Sequence, residues 1–553
     1  MNQLHTSKPL VWSLLAAFII ITLCMLGVRT LVPPDEGRYA EMAREMFASG
    51  DWITTRLNGI KYFEKPPLQT WMNALSFTAF GLGEWQARLW TGLCGLLGVL
   101  LTAHAGKRLF GGRAGLYAGL VLGSSLFWVA SGQIDSLDMG LSGMMTVCLC
   151  ALLIAQRDAA GASERRNWML VCWAGMALAV LSKGLIGLVL PGAVLVLYTL
   201  AARDWAIWSR LHLVKGLLLF FAIATPWFVL VALKNPEQPH FFFVHEHFER
   251  FLLKTHHREG AWYYFFAMLI PGLFPWIGLL PQSLAGALRR APGAAFQPKL
   301  LLLVWAVFIF AFFSYSSSKL PGYILPIFPA LALLLAVYLE TASRRQRMFA
   351  AALLALVGLA GLALAPQVTK LSTRHPSEIA LLQAYQPYIL AAALVALVGG
   401  ALALLYARQL KRDLTVLSLA CAGFLFTQLI LAGFEPYGRH RAGVALLPQI
   451  KAELSPDTKI YSVGTYEQSL TFYLRRTVTL VDYWDEFSFG LKQQPELSIP
   501  SVDTFVAQWT RDAAAGVRDI AIIDQEIHAD LKRRGVPMRL VAQDSRRIVI
   551  ANR

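Results

Sequence analysis

The chain has 553 residues, of which 56% are hydrophobic and only 15% charged, and its mean hydropathy is positive. Those proportions exclude a soluble multidomain enzyme and indicate a polytopic membrane protein. The formal net charge of +16 is no nucleic-acid footprint, because the basic residues follow the alternation of apolar segments, so no nucleic-acid partner is expected.

The first apolar run, Leu10 to Val28, follows Lys8 and has no small-residue cleavage site before Pro33-Pro34, so it reads as a retained first span. Windows long enough to cross a bilayer place spans near 10–28, 88–105, 114–131, 138–155, 168–182, 184–201, 213–233, 262–284, 300–316, 321–339, 348–365, 388–407 and 413–432. The fold class expected is therefore a polytopic α-helical membrane protein with about 13 transmembrane helices. Leu68–Phe80 is too short to span and reads as a re-entrant or interfacial piece.

The connections sort into two sets. Lys107/Arg108/Arg113, Arg157/Arg165/Arg166, Arg203/Arg210/Lys215, Arg289/Arg290/Lys299, Arg344/Arg345/Arg347 and Arg408/Lys411/Arg412 lie on one side with Lys8, the cytoplasmic side by the positive-inside rule. The 33–67 loop, the Gly132–Leu137 turn, the break at Lys183, the 234–261 loop, Ser314–Pro321, Pro366–Pro387 and everything after Gly433 lie on the other. Six cysteines, all inside apolar runs, suggest neither a disulfide framework nor a zinc–thiolate site. After Gly433 the hydropathy falls. Lys459–Val463, Thr477–Val481, Asp519–Ile523 and Arg546–Ile550 read as strands, and Ala442–Leu454, Thr504–Ala515 and Gln525–Arg534 as helices. Two domains are expected: a membrane domain over 1–433 and a small α/β domain over 434–553.

The polar clusters concentrate on the second, outer set of loops. Asp35 follows Pro33-Pro34 and opens a helical run; it reads as an N-cap, as a carboxylate held ionised by Arg38 one turn on, or as both. Tyr62-Phe63-Glu64-Lys65-Pro66-Pro67 is either an interfacial anchor or a site in which Lys65 meets phosphate and Glu64 meets Lys65 or a metal. Asp135 and Asp138 sit at a short outer turn, where Asp138 either caps the next helix or joins the site. Lys183 stands alone in a long apolar stretch and reads as an anion-site candidate or a snorkelling lysine. Between His240 and Phe265, His245 and His247 with nearby carboxylates suggest a tentative zinc site, and Arg250 a lipid-phosphate contact. The segment from Ser314 to Tyr323, including Lys319, reads as a polar wall of an outer cavity or simply a helix start.

The motifs PPDEGRYAE, YFEKPPLQTW, SKG, HEHFERFLLKTHHREGAWYYF, LFPW and SSSKLPGYILPIFPALALL resemble those of the bacterial 4-amino-4-deoxy-L-arabinose lipid A transferases, GT-C glycosyltransferases related to protein O-mannosyltransferases. The resemblance covers nearly all of the membrane region, in order. It implies a bacterial inner-membrane enzyme with a cytoplasmic N-terminus and a periplasmic C-terminal domain. Its donor would be undecaprenyl phosphate-linked aminosugar and its acceptor lipid A, both presented by membrane lipids, and the modification would confer polymyxin resistance. Asp35 matches the family's catalytic carboxylate and Asp138 a second acidic position. Lys65, Lys183 and Arg250 match cations near the carrier phosphate. Arg38, Tyr62, Lys319 and Tyr323 complete the expected substrate-binding set, Glu64 and His245 the tentative metal set. No cofactor is expected to be required, with a divalent metal such as zinc as the alternative. Two rival functions remain open: a transferase with a protein hydroxyl acceptor, and a lipid-linked sugar flippase, which would spread polar residues through the bundle depth.

Overall fold

The computed structural model describes residues 7–249, 260–371 and 376–553. The chain divides into two compact units. One comprises Met1–Leu26, Arg88–Leu371 and Gln383–Gly433; the other comprises Gly27–Ala87, Ser372–Leu382 and Phe434–Arg553. The sequence places one boundary at 433/434, whereas the contacts also group 27–87 with the C-terminal segment.

The first unit is a helical bundle. Nine helices among the described residues are long and apolar enough to cross a membrane, and a bent pair makes a tenth. All thirteen expected segments fall on helix, and the remainder differ for visible reasons. The segment 114–131 breaks at Ser125 into Gly112–Ser124 and Leu126–Ser131. The segment 262–284 bends by 108° between Tyr264–Gly272 and Ile277–Ala287, at a stretch holding Pro271 and Pro275, which cannot continue an unbroken hydrogen-bond ladder. Ala162–Lys183 begins with Glu164, Arg165 and Arg166, and Ile186–Ala202 has only 17 residues. At the centre, Leu137–Ala155 is enclosed along almost its whole length, whereas Lys8–Met25 buries only Thr22, as befits a helix facing lipid. Trp128, Trp276 and Trp305 are fully buried, and each indole N–H finds an acceptor: the Gly95 carbonyl, Ser124 Oγ and the Pro326 carbonyl.

The second unit joins the loop after the first span to the C-terminal α/β fold. Helix Asp35–Ser49 ends at Gly50, whose φ of 69° is the left-handed conformation that closes helices. A two-stranded hairpin follows, β1 (Arg56–Leu57) and β2 (Ile60–Lys61), turned by Asn58 and Gly59 at φ 55° and 76°. The C-terminal sheet contains β3 (Ile460–Val463), β4 (Thr479–Val481), β5 (Ser498–Ile499), β6 (Ile520–Ile523), β7 (Arg539–Gln543) and β8 (Ile548–Ala551), in the order β5-β4-β3-β6-β8-β7. The first four are parallel and the last two antiparallel. β3, β6 and β8 are buried throughout, so they read as continuous apolar runs without alternation. Their core gathers Tyr461, Phe505, Trp509, Ile523, Leu531 and Ile550.

The 27–87 segment is sewn to this fold. Thr30 donates to Glu435 from both its N–H (2.6 Å) and its hydroxyl (2.9 Å). The Asn58 amide pairs with both backbone groups of Val478, each at 2.7 Å. Ala40, Ala43, Met46, Ala74 and Phe77 form one core with Phe472. Gly37 lies where a Cβ would stand 2.5 Å from the Ser469 nitrogen, so the helix approaches Gln468–Leu474 backbone to backbone.

Candidate active site

In the first unit, the central helix places Asp138 in its first turn, and Ala162–Lys183 ends on Lys183. Two helix ends thus meet, and Lys183 Nζ forms an ion pair with Asp138 Oδ1, their side chains 17% and 21% exposed. The lysine isolated in sequence has a carboxylate partner in space, as partial burial of a charge requires. Its ammonium also lies 4.8 Å from the Tyr323 ring centroid, a cation–π contact. A Cβ on Gly322 would run into the Asp138 carboxylate, which explains the glycine in that motif. Ser136, not Asp138, is the N-cap of the central helix, and the Asp138 carboxylate is turned to Lys183. Lys319 is buried, and its ammonium donates to the carbonyls of Phe313 (3.2 Å), Ser314 (2.6 Å) and Ser316 (2.7 Å). It closes the C-terminus of helix Pro298–Tyr315, where unpaired carbonyls favour a cation.

In the second unit, Asp35 is the first residue of its helix and its N-cap is Pro34. The carboxylate accepts from Arg38 Nη1 at 3.0 Å and remains 55% exposed. Of the two sequence readings of Asp35, the structure has the Arg38-paired carboxylate. Glu36 accepts the Val32 N–H of the preceding loop at 3.0 Å and so ties the helix start to that loop. Arg38 Nε donates to Glu486 at 2.6 Å, and Glu486 also accepts from Gln468 at 2.7 Å. Burial opposes the charge of Arg38, but Tyr62, Glu486, Tyr39 and Asp35 together raise its pKa well above the ordinary arginine value. Arg38 therefore stays cationic at any working pH. Burial, seconded by Glu64, holds the Tyr62 phenol far above its usual pKa, so Tyr62 is a neutral donor. The hairpin fixes it: Tyr62 N–H donates to the Thr55 carbonyl at 3.0 Å and Thr55 returns its hydroxyl to Tyr62. Lys65 Nζ donates to the Glu64 carbonyl at 2.9 Å.

One turn below, Arg44 holds Glu41 with two bonds of 2.6 and 2.7 Å, and Glu45 accepts the Gly59 N–H at 2.8 Å. Both carboxyls are buried and face a single guanidinium. Burial raises both pKa values; with Arg44 bound to Glu41, Glu45 is pushed up to about 8 and holds the proton.

Arg250 lies outside the described residues, as does the His245 side chain. Among the described residues no three His, Cys, Asp or Glu side chains converge to hold a metal. The sequence reading missed Glu486, which reaches Arg38 across more than 400 residues, and Gln468, which donates to Glu486. The run Asp482-Tyr483-Trp484-Asp485-Glu486 following β4 was the available sign, because loops at the carboxyl ends of parallel strands are where such folds place functional groups.

Residues 446–552 match the family described as aminoarabinose transferase C-terminal domain, and residues 64–230 match dolichyl-phosphate-mannose-protein mannosyltransferase. An undecaprenyl phosphate-alpha-4-amino-4-deoxy-L-arabinose arabinosyl transferase of Edwardsiella ictaluri is 33% identical over 338 residues, 60% of this chain. A Sodalis glossinidius transferase of the same description is 35% identical over 336 residues, 59% of this chain. The matched stretch spans 59% and 58% of the length of these curated relatives. Crystal structures of ArnT from Cupriavidus metallidurans align over nearly the full length of both chains. The form bound to undecaprenyl phosphate is 40% identical at a TM-score of 0.93, covering 99% of each chain; the apo form is 41% identical at 0.90, covering 98% of each. With the alignment running from end to end and the C-terminal segment matching its own family model, the chain belongs to the ArnT family of aminoarabinose transferases, glycosyltransferases of the GT-C class.

Proposed function

We propose that this protein transfers 4-amino-4-deoxy-L-arabinose from undecaprenyl phosphate to a phosphate of lipid A at the periplasmic face of the bacterial inner membrane, and so confers resistance to polymyxin and other cationic peptides. The observation that carries the reading is the full-length likeness to an ArnT bound to undecaprenyl phosphate. The donor follows from that relative. The acceptor, the inner membrane and the outward orientation of the C-terminal domain rest on the family and on the distribution of Lys and Arg along the sequence.

The chemistry asks for two things. The leaving group is a phosphate that gains negative charge, so fixed cations lower the barrier; Lys65, Lys183 and Arg250 fill that role. The acceptor phosphate has a second pKa near 6 and is largely ionised at neutral pH, so only its monoanionic fraction needs a base. Asp35, half-exposed and paired with Arg38, accepts that proton and orients the acceptor, and displacement inverts the anomeric carbon. Asp138 or Glu64 binds the cationic amine of the sugar. The reaction runs without a cofactor. Protein dialysed against a chelator should retain full activity, and loss of activity restored by zinc would instead favour a metal at Glu64 and His245. The deciding measurement is mass spectrometry of lipid A from cells with and without the gene. A gain of one aminopentose supports the reading; transfer to a protein hydroxyl, with lipid A unchanged, overturns it.

A further inference from the structure

A groove of about 640 Å³ runs along the first unit between Ile186–Ala202, Leu280–Ala287 and Pro298–Tyr315. Its walls are wholly apolar, and Leu197, Leu288 and Val307 among them are exposed. An apolar wall open to the outside is stable where hydrocarbon covers it. The groove reaches Ala201 and Leu288 at one end, and there the chain turns basic with Arg203, Arg289, Arg290 and, opening the third helix, Lys299. Arg290 Nη2 donates to the Ala201 carbonyl at 2.7 Å, which fixes the basic turn to the mouth.

The neighbouring carboxylates are already committed. Asp204 takes Arg210 on both oxygens, at 3.0 and 2.8 Å, and Asp158 accepts the N–H groups of Ala295 and Phe296 at 3.0 and 3.2 Å. Arg203, Arg289 and Lys299 have no carboxylate partner among the described residues. Three uncompensated cations at the mouth of an apolar groove match one chemistry, an anionic headgroup on an acyl chain. We propose that this groove binds one anionic phospholipid, its chain along Leu197, Ala285 and Val307 and its phosphate on Arg289 and Lys299. The volume suits a chain, not a whole lipid, so the headgroup must sit outside on the basic rim. Lys183 stands beyond the far end of helix Ile186–Ala202, roughly 25 Å along the helix axis from Ala201, so the lipid lies apart from the Lys183–Asp138 pair.

Native mass spectrometry of the full-length protein, supplied in turn with phosphatidylglycerol, phosphatidylethanolamine and undecaprenyl phosphate, tests this. Wild-type protein should retain one phosphatidylglycerol and no phosphatidylethanolamine. The double variant R289Q/K299Q should retain it about tenfold less, two surface cations being removed. A285W, which fills the groove, should also lose the adduct at an unchanged melting temperature; if that variant fails to fold, the double variant decides alone. Equal retention of phosphatidylethanolamine, indifference to R289Q/K299Q, or displacement of phosphatidylglycerol by undecaprenyl phosphate would each overturn the assignment, the last by giving the groove to the sugar carrier.

Discussion

Asp35 and Asp138 look alike in sequence, each an acid at the start of a helix on the outer side, and the structure separates them. Asp35 keeps an exposed face beside Arg38, whereas Asp138 is turned into Lys183. If Asp35 is the base, Asp35→Asn should lower transfer by about 100-fold or more at unchanged protein level, read by transfer from purified carrier lipid in vitro. Lys183 requires a different test, because its loss also strands a carboxylate. Lys183→Met alone should destabilise by about 3 kcal/mol, and adding Asp138→Leu should recover most of it, measured by thermal unfolding in detergent. If Lys183 or Asp138 also meets the donor, the double variant stays inactive although it is stable. The acids and cations were legible in sequence because charge is rare in this chain. Their pairing was not, since Asp138 and Lys183 are joined only by the packing of two helices.

At the scale of elements, apolar length predicted where the membrane helices lie, because each needs a run set by bilayer thickness. It could not show that LFPW turns the chain through 108°, or that Lys319 is consumed in closing a helix end. Both outcomes depend on hydrogen bonds that composition does not reveal. The C-terminal strands β3, β4, β6 and β8 were found from their β-branched runs, while β5 and β7, short or exposed, gave no such pattern. The hairpin at Asn58-Gly59 carries the Asn-Gly turn signal, but its two-residue strands are too short to show alternation. Helix Asp35–Ser49 depends on close approach at Gly37, so Gly37→Val should destabilise the protein by about 1–3 kcal/mol and reduce activity with it, seen in the melting temperature and the transfer assay.

At the scale of the whole molecule, the buried Glu41–Arg44–Glu45 cluster links stability to pH. Glu45 titrates near 4.5 when unfolded and at about 8 when folded, so the folded state binds the extra proton between those values. Its stabilisation is complete below the unfolded pKa and is lost as pH rises through the folded one. Wild-type protein should therefore melt at lower temperature at pH 8.5 than at pH 5.5 by more than Glu45→Gln does, the glutamine oxygen still accepting from Gly59. The grouping of 27–87 with 434–553 also sets a timetable. Helix Asp35–Ser49 emerges from the ribosome early, yet Phe472, Val478 and Glu486, which complete its surroundings, follow only after about 420 further residues, a delay on the order of 20–85 s at ordinary elongation rates. For that interval the segment bearing Asp35 is without its scaffold, so the candidate active site is among the last parts of the protein to mature.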